Sequence, residues 1–349
     1  MFDRKIQHHV FQELDKDLPI LIAGGGGFIG GWLAMDLIQR GFTDIRCADI
    51  VPLESWQQKH AAAENLVLNL SLIEDCRKAA RDRAVVFNLA SDMGGMGFIE
   101  ANKAACMLSS LINTHLLVAS KEFEIERFFF SSSACVYNAD MQTSPDVTAL
   151  SEEDVYPAQP EDGYGWEKLF GERMVRHFSE DFGIKGRVAR FHNVYGPLGA
   201  WRGGREKAPA ALSRKVAEAV ISGDHSIEIW GDGSQTRSFT FIHDAVVGSE
   251  LLMFSDVSIP LNIGSDELIS INGLVDLLEE IAGVTLKRNY SLDAPQGVRG
   301  RNSDNRLIKE KLQWAPSISI RQGMEKTYEW VYEQVSLYGH VIESNHRSR

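Results

Sequence analysis

The stretch from Pro19 to Gly41, PILIAGGGGFIGGWLAMDLIQRG, constrains this chain more than any other. A short apolar run (Ile20, Leu21, Ile22, Ala23) enters four consecutive glycines. It leaves as an amphipathic pattern of Phe28, Ile29, Trp32, Leu33, Leu37 and Ile38 that stops at Gly41. The pattern predicts strand, tight turn, helix. Gly24, Gly27 and Gly30 stand at G-x-x-G-x-x-G spacing. That spacing permits a sharp turn, brings backbone N–H groups against a pyrophosphate and lets the helix pack on the strand. A bare glycine run is also what a flexible loop looks like, so the context decides. A second strand-like run (Ile45, Arg46, Cys47, Ala48) ends in Asp49, nineteen residues after Gly30. A carboxylate there can hydrogen-bond a ribose diol and repels a 2′-phosphate, so the sequence favours NAD over NADP.

The 349 residues can bury a large core, and the length allows two domains or one domain with an insertion. A net charge of −12 argues against general binding to nucleic acid or anionic lipid, so an anionic ligand must meet a local basic cluster. No stretch approaches the length of an apolar membrane span, and the polar first nineteen residues do not read as a signal peptide. A soluble, cytoplasmic protein is expected. Cys47, Cys76, Cys106 and Cys135 lie far apart with no C-x-x-C, which speaks against zinc and against a disulfide framework. No metal is expected.

After Asp49 a charged helical segment (Glu54 to Glu64), a short Leu66–Leu70 run, a helix over Ile73–Arg81 and a strand over Ala84–Ala90 are expected. Alternating strands and helices imply a right-handed parallel sheet. The strand runs into Met93–Gly97, with three glycines in five residues, where a backbone could approach a bound ligand or simply turn. A long helix from Ala101 to Phe123 is apolar on several sides (Met107, Leu108, Leu111, Leu116 among others), which suggests a subunit interface and a homodimer. Arg127–Phe130 then delivers a hydroxyl-rich mouth, Ser131-Ser132-Ser133-Ala134-Cys135. Some thirty residues on, Tyr164 and Lys168 open a helix that runs to Phe182. Spaced four apart they share one face, and an ammonium beside a phenol lowers its pKa and makes tyrosinate a usable base. Alone, Tyr-x-x-x-Lys is usually a surface pair; here a glycine-rich turn and a serine-rich strand end precede it.

Those three pieces, in this order, resemble the extended short-chain dehydrogenase/reductases, the NAD-dependent nucleotide-sugar epimerases and dehydratases. ASDMGGMGFIE, SSSACVY, YGWEKL, RFHNVYGPLGAWRGGREKAPAA, WGDGSQTRSFTFI, NIGSDE and GVRGRNSDN are similar to the members of that family that epimerise GDP-mannose at C3 and C5. The resemblance implies an α/β fold, a Rossmann doubly wound parallel sheet with a smaller α/β substrate-binding cap. Residues 1–195 and 233–260 would form the NAD-binding part, and 196–232 and 261–349 the cap. It implies Tyr164 and Lys168 as the redox pair, Ser133 as the hydroxyl holding the sugar O4, and Cys135 and Lys207 as the epimerising acid/base pair. Beside Gly24, Gly27, Gly30, Asp49, Tyr164 and Lys168, it puts Phe28, Ile29, Asn69, Leu70 and Ala90 at the cofactor. Asn69 stands where an aspartate is usual. Substrate positions would be Gly94, Ser133, Ala134, Cys135, Asn193, Glu206, Lys207, Ala208, Lys215, Gln235, Thr236, Arg237 and Arg301.

The residues of the second half agree with a nucleotide diphosphate site. Trp201 to Lys215 holds five basic residues (Arg202, Arg205, Lys207, Arg214, Lys215) against one acid, Glu206; with Arg237, Arg299 and Arg301 they form the local cluster an acidic protein would need. His192, His243 and Asp244 read as structural, because no metal spacing links them. The chemistry implied is oxidation of the sugar at C4, proton exchange at the acidified C3 and C5, and reduction back, with no net redox. Competing readings are a 4-epimerase or a 4,6-dehydratase on another nucleotide sugar, or a catalytically silent NAD-binding protein. A dehydratase usually carries an acidic pair where this chain has Ala134-Cys135.

Overall fold

The structure is a computed structural model that describes residues 11–347. The outer ends of the two expected domains, residues 1–10 and 348–349, lie outside the described residues. Strand β1 (Ile20–Ala23) passes through the glycine turn into α1 (Phe28–Gln39) and returns in β2 (Ile45–Asp49). The alternation continues through β3 (Glu64–Val67), α2 (Ile73–Ala80), β4 (Val85–Asn88), a short α3 (Met96–Ala101), α4 (Lys103–Glu122), β5 (Arg127–Ser133), α5 (Tyr164–Phe182) and β6 (Lys185–Phe191). Next come β7 (Val194–Tyr195), α6 (Ala208–Ser222), β8 (Ser226–Trp230), β9 (Thr236–Ser238), β10 (Thr240–Phe241), α7 (Ile242–Met253) and β11 (Leu261–Ile263). The chain ends with β12 (Leu268–Ser270), α8 (Ile271–Ala282), β13 (Lys287–Ser291), β14 (Gly300–Arg301), α9 (Arg306–Leu312) and α10 (Ile320–Arg347).

Seven strands form one parallel sheet in the order β3-β2-β1-β4-β5-β6-β11. The order reverses between β1 and β4, and ligands of such sheets bind at the carboxyl ends beside that reversal. The period-two rule sorts the two faces. Ile20, Ile22, Val85, Phe87 and Phe129 face α1 and α7, with Leu33, Leu37, Val246 and Leu251 in one core. Leu21, Ala23, Val86, Phe128 and Phe130 face α2, α4 and α5, with Ala79, Leu116, Leu117 and Val175 in another. Because both faces are covered, β1 and β4 are buried at every residue and carry apolar runs rather than alternation. No described helix is long and apolar enough to cross a membrane.

Two small sheets, β12-β9-β14 and β13-β8, lie with α6, α8 and α10 beyond the carboxyl ends. The expected break at 260 falls one residue before β11, which pairs Leu261 with Ala189 and Ile263 with Phe191 and so joins the large sheet. Conversely, β9 lies within 233–260 yet pairs with β12 and β14. Asn262, in the middle of β11, joins distant segments. Its side chain donates to Leu150 O at 2.9 Å and Asp304 O at 3.2 Å, and accepts from Tyr137 Oη at 2.5 Å and His192 Nε2 at 2.9 Å.

The expected helix over 54–64 is absent: a 3-10 turn covers Leu53–Ser55 and the rest is irregular up to β3. Long-range contacts outweigh the local pattern there. Trp56 packs on Gly26, where a Cβ would lie 2.5 Å from its ring, and Gln58 Nε2 donates to Phe28 O at 3.1 Å. The long helix expected from Ala101 starts at Lys103 instead. Asn102 (φ −129°) separates it from α3 and caps that short helix by donating from Nδ2 to Phe98 O.

Candidate active site

The glycine turn is packed as the spacing requires. A Cβ on Gly24 (φ +84°) would lie 2.9 Å from Ala90 N, and one on Gly30 would lie 2.2 Å from Gly24 O. Neither position tolerates a side chain. Gly27 caps α1 with no side-chain acceptor, so the first-turn N–H groups of Phe28 and Ile29 face the turn's open side. Asp49 closes the other side: Oδ2 accepts from Gly26 N–H and Oδ1 from Val51 N–H, each at 3.1 Å. Burial pushes its carboxyl up, and those N–H groups partly offset this. Leu70 is buried, whereas the Asn69 side-chain carbonyl accepts from Ser71 N–H and Oγ.

Tyr164 and Lys168 lie one turn apart on α5, with the ammonium 5.5 Å from the phenol ring centroid and 5.0 Å from that of Phe130. Lys168 is only 2% exposed and its nearest anion is Glu167 at 3.5 Å. A buried ammonium has three donors to satisfy, so this arrangement fits a bound ribose diol. Together with the turn, it makes the site fit an NAD molecule. Burial pushes the Tyr164 phenol well above its ordinary value, the opposite direction to that expected from the lysine alone. Only one of the three strand-end serines lines the cleft beside Tyr164. Ser131 Oγ donates to Asn88 O and Ser132 Oγ to Glu172, whereas Ser133 Oγ accepts from Cys135 N–H at 3.2 Å and faces the cleft with Tyr164. Gly165 matters for the same meeting: a Cβ there would lie 2.4 Å from Cys135 O, so only glycine lets α5 approach the Cys135 turn.

Above the carboxyl ends lies a cleft of about 230 Å³. Of the expected substrate positions, Gly94, Ser133, Ala134, Cys135, Asn193, Glu206, Lys207, Ala208, Lys215, Gln235, Arg237 and Arg301 line it, with Tyr164 at its inner end. Thr236 does not: its hydroxyl donates to Pro145 O at 2.5 Å. Nor do Arg202, Arg205 and Arg299 of the expected basic cluster. Arg299 is held by Asp232 at 3.1 Å, and Arg205 pairs with Asp92 at 2.7 Å while its guanidinium stacks 3.9 Å from the Phe98 ring centroid. The glycines after β4 serve packing as well as approach, since Gly95 N–H donates to Arg205 O at 3.0 Å and a Cβ on Gly95 would meet Glu206 O at 2.4 Å.

Cys135 and Lys207 come from different segments, Cys135 from the turn after β5 and Lys207 from the start of α6. Cys135 Sγ lies 3.5 Å from Arg301 Nη1, and Arg301 in turn binds Glu161 and donates from Nε to Gln142 Oε1 at 2.6 Å. Burial, then the Glu161 charge, pushes the Cys135 thiol up to about 11, against the opposing pull of Arg301. Lys207 forms the N-cap of α6, where the helix's partial positive charge disfavours a cation. Burial also pushes its ammonium down, against the pull of Cys135. Gln235 Oε1 is buried with no hydrogen-bond partner, and burial followed by Arg301 lowers Arg237 to about 10. His192 is buried and held neutral, its pKa lowered to about 3 by desolvation, and Asp244 accepts from Ser317 and Ile318 N–H. Sequence reasoning missed Glu161, Gln142, Glu228, Trp230 and Gln296. Trp230 opens the WGDGSQTRSFTFI string but was given no role there; the other four stand in none of the quoted strings, and Glu161 and Gln142 reach the site through Arg301 from far along the chain.

A model of the NAD dependent epimerase/dehydratase family matches residues 20–264. The chain belongs to that family, and NAD is its cofactor. Within the family, an Arabidopsis thaliana protein named GDP-mannose 3,5-epimerase is 41% identical over 95% of this chain and 91% of its own length. GDP-mannose 3,5-epimerase 1 of Oryza sativa subsp. japonica is 42% identical over 94% and 87%. Among solved structures, the UDP-glucose 4-epimerase of Thermotoga maritima with UDP-glucose superposes with a TM-score of 0.81 at 25% identity, over 91% of this chain and 100% of its own. The UDP-glucuronic acid 4-epimerase of Bacillus cereus, in complex with UDP-glucuronic acid and NAD, gives 0.78 at 25% identity over 91% and 100%.

Proposed function

We propose that this enzyme epimerises a nucleotide sugar, GDP-mannose, at C3 and C5 through a transient 4-keto sugar. The observation that carries the reading is the meeting of Tyr164, Cys135 and Lys207 in one cleft, above a turn that fits NAD. When bound, NAD takes up the C4 hydrogen with its electron pair and later returns it. Tyr164, steered by Ser133, takes the proton of the C4 hydroxyl, and Lys168 holds positive charge beside the phenolate that forms. The resulting ketone acidifies C3 and C5. Cys135 and Lys207 exchange protons there, while Arg237 and Lys215 supply charge for a diphosphate. The domain division follows the cleft: we assign the large sheet and its helices to the cofactor, and α6, α8, α10 and the two small sheets to the sugar nucleotide.

The test is isotopic. In D₂O the enzyme acting on GDP-mannose incorporates deuterium at C3 and C5 and none at C4. A 4-epimerase would show no exchange at C3 or C5, a dehydratase would lose the 6-hydroxyl, and a silent binding protein would do neither.

We also propose a homodimer built on α4 and α5, which pack side by side. Leu108 on α4 and Phe170 on α5 are 61% and 53% exposed, and Met107, Leu111 and Trp166 are exposed with them. Leu116, expected from sequence at the interface, is fully buried in the protomer's own core. The test is therefore Leu108→Lys with Leu111→Lys: the wild type should run as a dimer in light scattering and the double variant as a folded monomer. Four unpaired cysteines fit a reducing compartment, for which we propose the cytoplasm.

A further inference from the structure

Glu167 is a buried carboxylate beside the redox pair for which the chemistry above has no use. It sits in the first turn of α5, where a helix favours negative charge, immediately before Lys168. Its side chain is 1% exposed, and neither Oε1 nor Oε2 has a hydrogen-bond partner among the described residues. Its cation is the Lys168 ammonium, 3.5 Å from Oε2 and itself 2% exposed. Two nearby glutamates are closed off by arginines. Glu172 accepts from Nε and Nη2 of Arg190 at 2.9 and 2.8 Å, and Glu161 accepts from Arg301. Glu167 has only a lysine, which lies against the rings of Phe130 and Tyr164. Burying a carboxylate without hydrogen bonds is costly, so a balance of charge has to hold it there.

We propose that Glu167 is a positioning residue acting through Lys168: its carboxylate offsets the ammonium, so that the inner end of the cleft admits the positively charged nicotinamide of oxidised NAD and the resident cofactor rests oxidised. This rests on the reading of Tyr164 and Lys168 as the redox pair, which brings the nicotinamide ring to the sugar carbon that Tyr164 serves. The two forms of the cofactor differ there by one unit of charge, since the ring is a cation in oxidised NAD and neutral in NADH. Lys168 alone would set cation against cation in a place shielded from water, and so favour the reduced form. A cofactor held as NADH cannot begin a cycle whose first step is removal of hydride from C4. With Glu167 in place the pair sums to zero. The ammonium then keeps its donors for the ribose diol and adds no net charge beside the ring.

The experiment is displacement of bound NADH, followed by its fluorescence, with oxidised NAD as competitor, which gives the ratio of the two dissociation constants directly. No sugar is present, so the result is decided separately from the identity of the substrate, which the deuterium experiment decides. In Glu167→Gln the preference for NADH over oxidised NAD should rise about tenfold above the wild type, the scale of one charge acting across a partly buried site. Glu167→Asp, which keeps the charge, should return most of the way. Lys168→Met should move the ratio in the opposite direction, toward oxidised NAD. The double variant Glu167→Gln with Lys168→Met should lie near the wild type, because both charges are gone. A glutamate that only packs would weaken both forms alike, and an unchanged ratio in Glu167→Gln would overturn the proposal. So would a double variant with the ratio of Lys168→Met alone. That last comparison still decides if Glu167→Gln does not fold by itself, because the double variant leaves neither charge of the pair buried alone.

Discussion

The two chemical ends of the cleft are built in opposite ways. The redox end is a single helical turn: Tyr164 and Lys168 share one face of α5, with the Phe130 ring beneath the ammonium and Glu167 beside it. The acid–base end is assembled from four distant places, with Cys135 after β5, Glu161 before α5, Lys207 at the start of α6 and Arg301 in β14. One end is held by helix geometry, the other by shared charge. A helix presents its pair as soon as it folds, whereas a charge network exists only when every segment has arrived. Damage to the first should therefore be all-or-none for chemistry, and damage to the second should be graded and sensitive to protons.

Tyr164→Phe breaks the comparison most severely. Both reduced-cofactor absorbance and solvent exchange should fall together, by roughly 10²–10⁴-fold, because every later step needs the ketone. Cys135→Ala should separate the ends: reduced cofactor still accumulates with substrate, while exchange at C3 and C5 falls by about 10². Full exchange in that variant would mean the cysteine only packs. His192, under the acid–base end, provides a measure of folding. Its folded pKa of about 3 lies below the ordinary histidine value, so the unfolded chain binds the proton first. Stability should be full above about pH 6.5 and fall as pH drops toward 3. The loss between pH 6.5 and 4 should be roughly 3 kcal/mol, read as a difference in urea unfolding between wild type and His192→Gln. The smallest effect concerns Asp49→Ala, which should narrow the preference for NAD over NADP by roughly tenfold in binding titrations, the scale of one lost charge-assisted hydrogen bond. Equal affinity for both cofactors in the wild type would show that Asp49 serves only the backbone of the glycine turn.

The same contrast explains what the amino-acid sequence discloses. The glycine turn, Asp49 and the Tyr164–Lys168 spacing are local patterns whose physics lies within a few residues, and the sheet follows from alternating apolar runs. The acid–base roles of Cys135 and Lys207 came from resemblance; the residues alone marked Lys207 and Arg301 only as charge for an anionic ligand. Glu161 was not legible at all, because its partner Arg301 stands 140 residues away. The helix expected over 54–64 failed for a related reason: its charged pattern is helical, but Trp56 and Gln58 find better partners on the glycine turn. The basic cluster was read with the right sign and only partly the right place, since Asp232 and Asp92 claim Arg299 and Arg205.

Asn262 carries a consequence for motion. Each hydrogen and lone pair of its side-chain amide is committed, to Leu150, Asp304, Tyr137 and His192, and its own N–H donates to Glu152 Oε1 at 2.8 Å. Those partners belong to the segment between β5 and α5, to the residue that follows β6 and to the chain after β14, while Asn262 itself stands in the large sheet. Rotating one part of the molecule against the other would break several of these bonds at once, in a place water does not reach. Access to the cleft by rigid-body opening is therefore costly.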